Sequence, residues 1–170
     1  MNLRYAPRSE ETEQINLMNW ARTHEHDYPE LKWIMHIPNG GKRNRAEAAK
    51  FKQLGVKAGV SDLFLPAPKG VYNGLFIEMK YGDNTLQKCQ KEFLKDMSDA
   101  GYYVCTCYDG RTAVKVIEEY INLNTEFDMP TAVRYIKMQR NEPIVHCFMR
   151  YKNNSIIKEG DYDFQERHCC

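Results

Sequence analysis

The sequence lacks three features that would assign it to a class at once. Its 170 residues contain no apolar run that approaches the roughly 20 residues of a membrane-spanning helix. The N-terminal residues carry no signal-peptide core. The formal net charge is only +1, so the overall charge does not indicate a nucleic-acid partner. We therefore expect a soluble cytoplasmic protein that does not bind membranes.

The six cysteines also lack a metal-binding pattern. There is no C-x-x-C pair and no paired histidine spacing. Cys105 and Cys107 alternate along a predicted strand, which is typical of packing by small apolar side chains. Cys169 and Cys170 follow His168 in the tail, where chain ends are usually frayed and such clusters are usually incidental. We expect reduced thiols and no zinc.

The stretch from Gly55 to Lys80 carries charged residues where buried strands are expected. Asp62 opens one apolar run, Leu63–Leu65, and Glu78 and Lys80 close another. Because alternate residues of a strand share a face, Glu78 and Lys80 project from the same side. Burying an unpaired charge is costly, so each of these groups needs a partner. An ion pair between Glu78 and Lys80 would give each of these two residues a partner, but it would leave Asp62 without one.

The position of Asp62 favours a metal site. If the two strands pair, Asp62 lies beside Glu78, and neighbouring carboxylates repel each other unless a proton or a cation lies between them. A small number of hard oxygen ligands suits Mg²⁺ or Mn²⁺, which keep several waters and take further ligands from substrate phosphates. Lys80 could then orient or deprotonate a water, or stabilise negative charge that develops at phosphorus.

Short motifs along most of the chain, from about Ser9 to Ile121, resemble one known family. In chain order, they are His36-Ile-Pro-Asn-Gly-Gly, Gly-Val-Ser-Asp62, Ile77-Glu78-Met79-Lys80, Gln90-Lys-Glu-Phe and Gly101-Tyr-Tyr-Val. The second and third resemble the core of the PD-(D/E)XK nucleases, although Ser61 stands where the superfamily name has proline. The whole series resembles the VRR-NUC branch, the virus-type replication-repair nucleases. The resemblance implies hydrolysis of DNA phosphodiesters with Mg²⁺ or Mn²⁺, held by Asp62, Glu78 and the backbone carbonyl of Met79.

A helix is predicted from Ser9, as its N-cap, to about Thr23. On a helical wheel Glu10 lies on the apolar stripe and Glu13 lies at its edge. Each of these glutamates fits either a metal site or the favourable first turn of a helix. In the family a glutamate of the first helix completes the metal site, which favours Glu10 and leaves Glu13 as the alternative.

The third predicted helix runs from about Thr85 to Ala100, with Gln90 as the polar member of its apolar stripe. The ordinary explanation is a buried glutamine that bonds to the backbone. The resemblance implies instead that Gln90 holds a water, the lysine or a phosphate in the active site, with Gln87 as the weaker candidate.

The segment 40–57 holds six lysines or arginines and one glutamate. Its glycines would let a backbone approach phosphate closely, with cations beside it. The alternatives are an ordinary turn and a solvated helix face. The candidate DNA contacts, the first of which rests on the resemblance, are Asn39, Gly40, Lys42, Arg43, Arg45 and Lys50.

The order of predicted elements is helix, strand, helix, two strands, helix, strand and helix, with the first strand at 31–37 and the helix after it at 45–54. This order predicts an α/β fold, a restriction-endonuclease-like mixed β-sheet flanked by helices. We assign residues 1–123 to the nuclease domain. Residues 124–170 form a small C-terminal extension, for which we consider a hairpin, dimer contacts or DNA contacts.

Compact stand-alone VRR-NUC proteins, mostly viral or bacterial, resemble Holliday-junction resolvases that act as homodimers. The resemblance therefore implies a homodimeric endonuclease that cuts branched DNA, in the host cytoplasm if the protein is viral. Function at this level rests on analogy. One alternative is a nuclease with flap, nick or restriction-type specificity. The other is a DNA-binding module without catalysis.

Overall fold

The computed structural model describes residues 7–38, 44–123, 150–152 and 155–157. Its helices are α1 (Glu10–Thr23), α2 (Arg45–Gln53), α3 (Lys88–Asp99) and α4 (Gly110–Ile121). Its strands are β1 (Met35–His36), β2 (Leu63–Leu65), β3 (Leu75–Met79), β4 (Tyr103–Cys107), β5 (Arg150–Lys152) and β6 (Ser155–Ile157). Among the described helices, none combines the length and the apolar character that crossing a bilayer requires.

The main sheet has four strands in the order β1-β2-β3-β4. Strand β2 runs antiparallel to both β1 and β3, whereas β3 and β4 are parallel. A parallel pair needs a crossover connection, and α3 lies between β3 and β4 in the chain. All five residues of β3 are buried, so this strand lies at the centre of the fold. The mixed sheet with its helices confirms the predicted α/β architecture.

The alternation of β3 divides the core into two parts. Leu75, Ile77 and Met79 lie in the larger cluster, which also contains residues of α1 and α4. Phe76 lies on the other face in a smaller cluster with Leu94 of α3 and with β4. The helices therefore cover both faces of the sheet, with α3 on the face from which Glu78 projects.

The ends of the helices follow their capping residues. Ser9, Asn44 and Asp109 each accept a hydrogen bond from a backbone N–H of the first turn, and they begin α1, α2 and α4. Gly101, with φ +86°, lies just after the C-cap of α3, in a conformation that glycine adopts without strain. The predicted start and end of α1 are confirmed.

Two predicted boundaries are wrong. Residues 31–37 do not form one strand, because Pro29 begins a 3₁₀ turn that runs to Trp33 and only Met35–His36 pair with β2. The third helix begins at Lys88 rather than at Thr85. Its N-cap is Gln87, whose backbone N–H donates to the side-chain oxygen of Gln90.

In the C-terminal extension, β5 and β6 form an antiparallel pair. The rest of residues 124–170 lies outside the described part of the chain. The division into a domain 1–123 and an extension therefore stays a prediction, as do the dimer and DNA contacts suggested for the extension.

Candidate active site

The register of β2 and β3 brings Asp62 and Glu78 together. Leu63 pairs with Ile77, so the next position outward places Asp62 opposite Glu78. One oxygen of Asp62, Oδ2, accepts a hydrogen bond from the N–H of Met79 at 2.8 Å. The two carboxylates therefore lie at the same end of the sheet, Glu78 on β3 and Asp62 directly before β2, next to each other as the sequence predicted.

The two oxygens of Glu78 have different surroundings. Oε1 accepts hydrogen bonds from Nζ of Lys80, at 2.6 Å, and from Nε2 of Gln90. Oε2 is buried and has no hydrogen-bond partner among the residues that the structure describes. The Glu78 residue is 0% exposed, so bulk water cannot solvate that oxygen. One oxygen is thus held in place by two donors, while the other is buried without one.

Burial and mutual repulsion act on the acidic groups of this site. Burial first, and then the charge of Asp62, raise the pKa of Glu78 to about 7, against the lowering effect of Lys80. Burial also raises the pKa of Asp62, against the hydrogen bond from Met79 and the charge of Lys80. The site therefore carries more negative charge than Lys80 alone stabilises.

Lys80 is the cation of this cluster. Burial lowers its pKa, but the hydrogen bond and the charge of Glu78 raise it, and the net direction is upward. Its Nζ also donates to the carbonyl oxygen of Met79 at 3.0 Å. Lys80 is therefore held in its charged form between the Glu78 carboxylate and the one carbonyl that the sequence suggested as a metal ligand.

The first-helix glutamates lie in different places. Each oxygen of Glu13 is engaged: Oε1 accepts from Nε of Arg8 at 2.7 Å, and Oε2 accepts from the N–H of Gly110 at 2.9 Å. Glu13 therefore joins the start of α1 to the start of α4. Glu10 belongs electrostatically to the site, since burial, and then Asp62, raise its pKa while Lys80 lowers it.

The donor set fits a divalent cation in part. Carboxylate oxygens are the ligands that Mg²⁺ and Mn²⁺ prefer, and Oε2 of Glu78 lacks any donor. In the part of the chain that the structure describes, no group of three or more His, Cys, Asp or Glu side chains is arranged to hold a metal ion. The predicted ligands Asp62 and Glu78 lie next to each other, and Mg²⁺ usually fills its other positions with water and phosphate, so this ligand set stays a prediction.

Gln90 contacts Glu78, whereas the resemblance suggested a water, the lysine or a phosphate as its partner, so its role in the active site stays a prediction. Its Nε2 donates to Glu78, while its Oε1 accepts the N–H of Gln87 at 2.9 Å. Both polar atoms of the Gln90 amide therefore have partners, and the side chain connects the start of α3 to the Glu78 carboxylate. Gln87 itself serves as the N-cap of the helix.

Sequence reasoning gave no role to His36, although it is part of the upstream motif. Its Nδ1 lies 2.9 Å from the carbonyl oxygen of Asp62 and 2.8 Å from Nε2 of Gln14. His36 therefore links α1 and β1 to the residue that carries the Asp62 carboxylate. The alternation of polar and apolar residues could not reveal this contact, because it depends on the pairing of β1 with β2.

The predicted DNA contacts are only partly described. Arg45 and Lys50 are exposed on α2, a helix that buries none of its residues. The other four, Asn39, Gly40, Lys42 and Arg43, lie outside the described residues. An exposed basic helix is compatible with phosphate contacts and equally with a solvated surface, so these assignments stay predictions.

A mixed sheet covered by helices, with an aspartate and a Glu-x-Lys segment meeting at the ends of adjacent strands, defines a site of the PD-(D/E)XK type. Residues 8–109 match the family model described as the VRR-NUC domain. The chain therefore belongs to the VRR-NUC family, whose members are nucleases of the PD-(D/E)XK superfamily and are generally dependent on divalent metals.

A solved structure described as "VRR_NUC domain protein" is similar to this chain. The two are 33% identical, with a TM-score of 0.61, and the match covers 71% of this chain and 93% of the other. A comparison with curated proteins finds no match. The similarity in sequence and fold supports the same family assignment.

Proposed function

We propose that this protein is a divalent-metal-dependent endonuclease that hydrolyses phosphodiester bonds in DNA. The observation that carries the proposal is the Oε2 atom of Glu78, which is buried, lacks a hydrogen-bond donor and belongs to a carboxylate beside Asp62. Such an atom is costly unless a proton or a cation stabilises it. Because nucleases of this family generally depend on a divalent metal, we infer that a cation, rather than a proton, stabilises this oxygen in the active enzyme.

Asp62 and Glu78 would hold the cation, and Glu10 would act on it through charge or through a bound water. When present, Mg²⁺ or Mn²⁺ would polarise the phosphoryl group and lower the pKa of a water molecule. Glu13 is not part of this proposal, because both of its oxygens have partners at the junction of α1 and α4.

Lys80 would orient the attacking water and stabilise charge on the phosphoryl oxygens. Deprotonation of the water by Lys80 is disfavoured, because Glu78 raises the pKa of Lys80 and keeps the amine protonated. Gln90 would hold Glu78 from the side of α3, so that Oε2 remains directed to the cation. Each of these residues acts on Glu78 or on the substrate without changing its own protonation state.

We also propose that the substrate is branched DNA and that the active form is a homodimer. The support is the resemblance to stand-alone VRR-NUC proteins, together with the lack of an evident base-reading element in the sequence. Phosphate contacts alone carry no sequence information, so recognition by DNA shape is the consistent mode. Two sites in a dimer could cut the two opposed strands of a four-way junction.

The test is cleavage of end-labelled four-way, flapped, nicked and linear DNA by the purified protein, with Mg²⁺, Mn²⁺ or a chelator. We expect metal-dependent, symmetric paired nicks in the four-way junction. Preferential cutting of flaps or nicks would contradict the proposed specificity for four-way junctions but would still support metal-dependent hydrolysis. Binding without cutting would instead show a DNA-binding module.

The matched control compares Lys80→Ala with Lys115→Ala. Lys115 is an exposed lysine on α4. Cleavage should be lost in the first variant and kept in the second. Cleavage that survives Lys80→Ala would contradict the proposed role of this site.

A further inference from the structure

Two buried polar atoms on neighbouring strands have no hydrogen-bond partner within the described part of the chain. One is Oε2 of Glu78 on β3, and the other is the hydroxyl oxygen Oγ1 of Thr106 on β4. Both residues are 0% exposed. Buried polar groups in folded proteins nearly always have a partner, so two that lack one on paired residues require an explanation.

The two atoms belong to residues that face each other in the sheet. Glu78 pairs with Thr106 in the parallel register of β3 and β4. Paired residues of neighbouring strands project from the same face, and the preceding pair on this face, Phe76 and Val104, lies in the smaller core beneath α3. Glu78 thus lies between Asp62 on one neighbouring strand and Thr106 on the other.

The chemistry of the two atoms indicates what lies between them. A carboxylate oxygen only accepts hydrogen bonds, whereas a hydroxyl both donates and accepts. A buried hydroxyl without a partner costs about 1–3 kcal/mol, and a valine would fill the same volume in a strand without that cost. A single water can satisfy both atoms, since a buried water needs only two to four polar partners.

We propose that Thr106 is a positioning residue that holds one buried water against Oε2 of Glu78. Lys80 and Gln90 fix Oε1, and the water would fix Oε2 from the opposite strand. This leaves a second lone pair of Oε2 directed to the cation. The effect on metal binding rests on the proposed function, whereas the water contact itself does not.

The first experiment measures Mn²⁺ affinity by calorimetry in the absence of DNA. Thr106→Val removes the hydroxyl and keeps the volume. We expect it to weaken Mn²⁺ binding by about 10–100-fold, the usual effect of losing a group that orients a metal ligand. Thr106→Ser keeps the hydroxyl and should bind within a few-fold of the wild type. Unchanged affinity in Thr106→Val would overturn the role in metal binding.

The matched control is Thr112→Val. Thr112, on α4, is also buried with an Oγ1 that lacks a partner, but it does not pair with Glu78. Mn²⁺ affinity should be unchanged in this variant, and an equal loss there would overturn the inference. Thermal unfolding of each variant verifies that it is folded, and Thr106→Ala, which also lacks the hydroxyl, provides the test if Thr106→Val does not fold.

The second experiment is a crystal structure of the wild-type protein grown with chelator. We expect water density within about 3 Å of both Oγ1 of Thr106 and Oε2 of Glu78. A dry gap, or a threonine hydroxyl bonded elsewhere, would overturn the inference. If the wild type binds no Mn²⁺, the proposed function fails, and this crystal structure still decides the contact between Thr106 and Glu78.

Discussion

Replacing Glu78 by glutamine should remove a loss of stability that the metal-free wild-type protein undergoes as the pH rises. The pKa of Glu78 rises from its ordinary value of 4.5 to about 7 in the folded protein, through burial and then the charge of Asp62. Between these values the folded state keeps a proton that the unfolded chain releases. The wild type therefore loses stability from about pH 4.5 to pH 7, while Glu78→Gln has no such group to titrate.

The size of this effect follows from the pKa. A difference of one pH unit corresponds to about 1.36 kcal/mol. The rise from 4.5 to about 7 thus corresponds to about 3 kcal/mol in the free energy of unfolding. The pKa of about 7 already includes the effect of the ion pair with Lys80, so that pair adds no separate pH-dependent contribution. The change with pH, rather than the absolute difference at one pH, is the quantity to compare.

The assay is urea unfolding of both proteins with chelator at intervals from pH 4.5 to pH 8. Relative to the wild type, the variant should gain about 3 kcal/mol across this range and no more above it. Glu11→Gln, an exposed neighbour of the site on α1, should follow the wild type. Mn²⁺ at 100 times its Kd should stabilise the wild type by about 2.7 kcal/mol and should not stabilise Glu78→Gln. A difference that does not change with pH would refute the reasoning.

The other predictions concern further residues of the site and two glycines that precede Asp62 in the chain. Glu10→Ala should weaken Mn²⁺ binding without loss of stability. Glu13→Ala should instead lower the free energy of unfolding by about 1–3 kcal/mol and leave Mn²⁺ affinity unchanged. Calorimetry measures the Mn²⁺ affinity of each variant, and urea unfolding measures its stability. Lys80→Ala should abolish DNA cleavage but still bind Mn²⁺, which a gel assay and calorimetry would show, and loss of both would contradict a role in orienting water. Gly59→Ala should lower the free energy of unfolding by about 2–5 kcal/mol, because φ is +86° and a Cβ would overlap the backbone of α3. Gly55→Ala should lower it by only about 1–2 kcal/mol, because φ is +91° but the space around the Cβ is open. Equal losses in the two glycine variants would show that the predicted overlap does not occur.

Much of the site could be predicted from the sequence because it depends on local periodicity. The alternation of β3 placed Glu78 and Lys80 on one face, and the apolar run after Asp62 indicated a neighbouring strand. The helical stripe of α3 similarly marked Gln90 as the polar side chain directed inward. The face on which a side chain lies is set by the local repeat, which is two residues in a strand and about four in a helix, so a short stretch of sequence is enough to predict it.

What the sequence could not provide depends on pairing between distant segments. Glu13 bonds to Gly110, which lies 97 positions away, so no helical wheel could separate its role from that of Glu10. Thr106 faces Glu78 only because β4 runs parallel to β3 in a particular register. The 3₁₀ turn at Pro29 was missed because the apolar pattern after it also fits a strand.

The central claim is that Asp62 and Glu78 hold a divalent cation beside Lys80. The most direct measurement is anomalous scattering from crystals of the wild-type protein soaked in Mn²⁺. We predict a peak at about 2.1 Å from a carboxylate oxygen of Asp62 and from Oε2 of Glu78, with water in the remaining positions. A peak elsewhere, or no peak at this pair when Mn²⁺ is saturating, would contradict the claim.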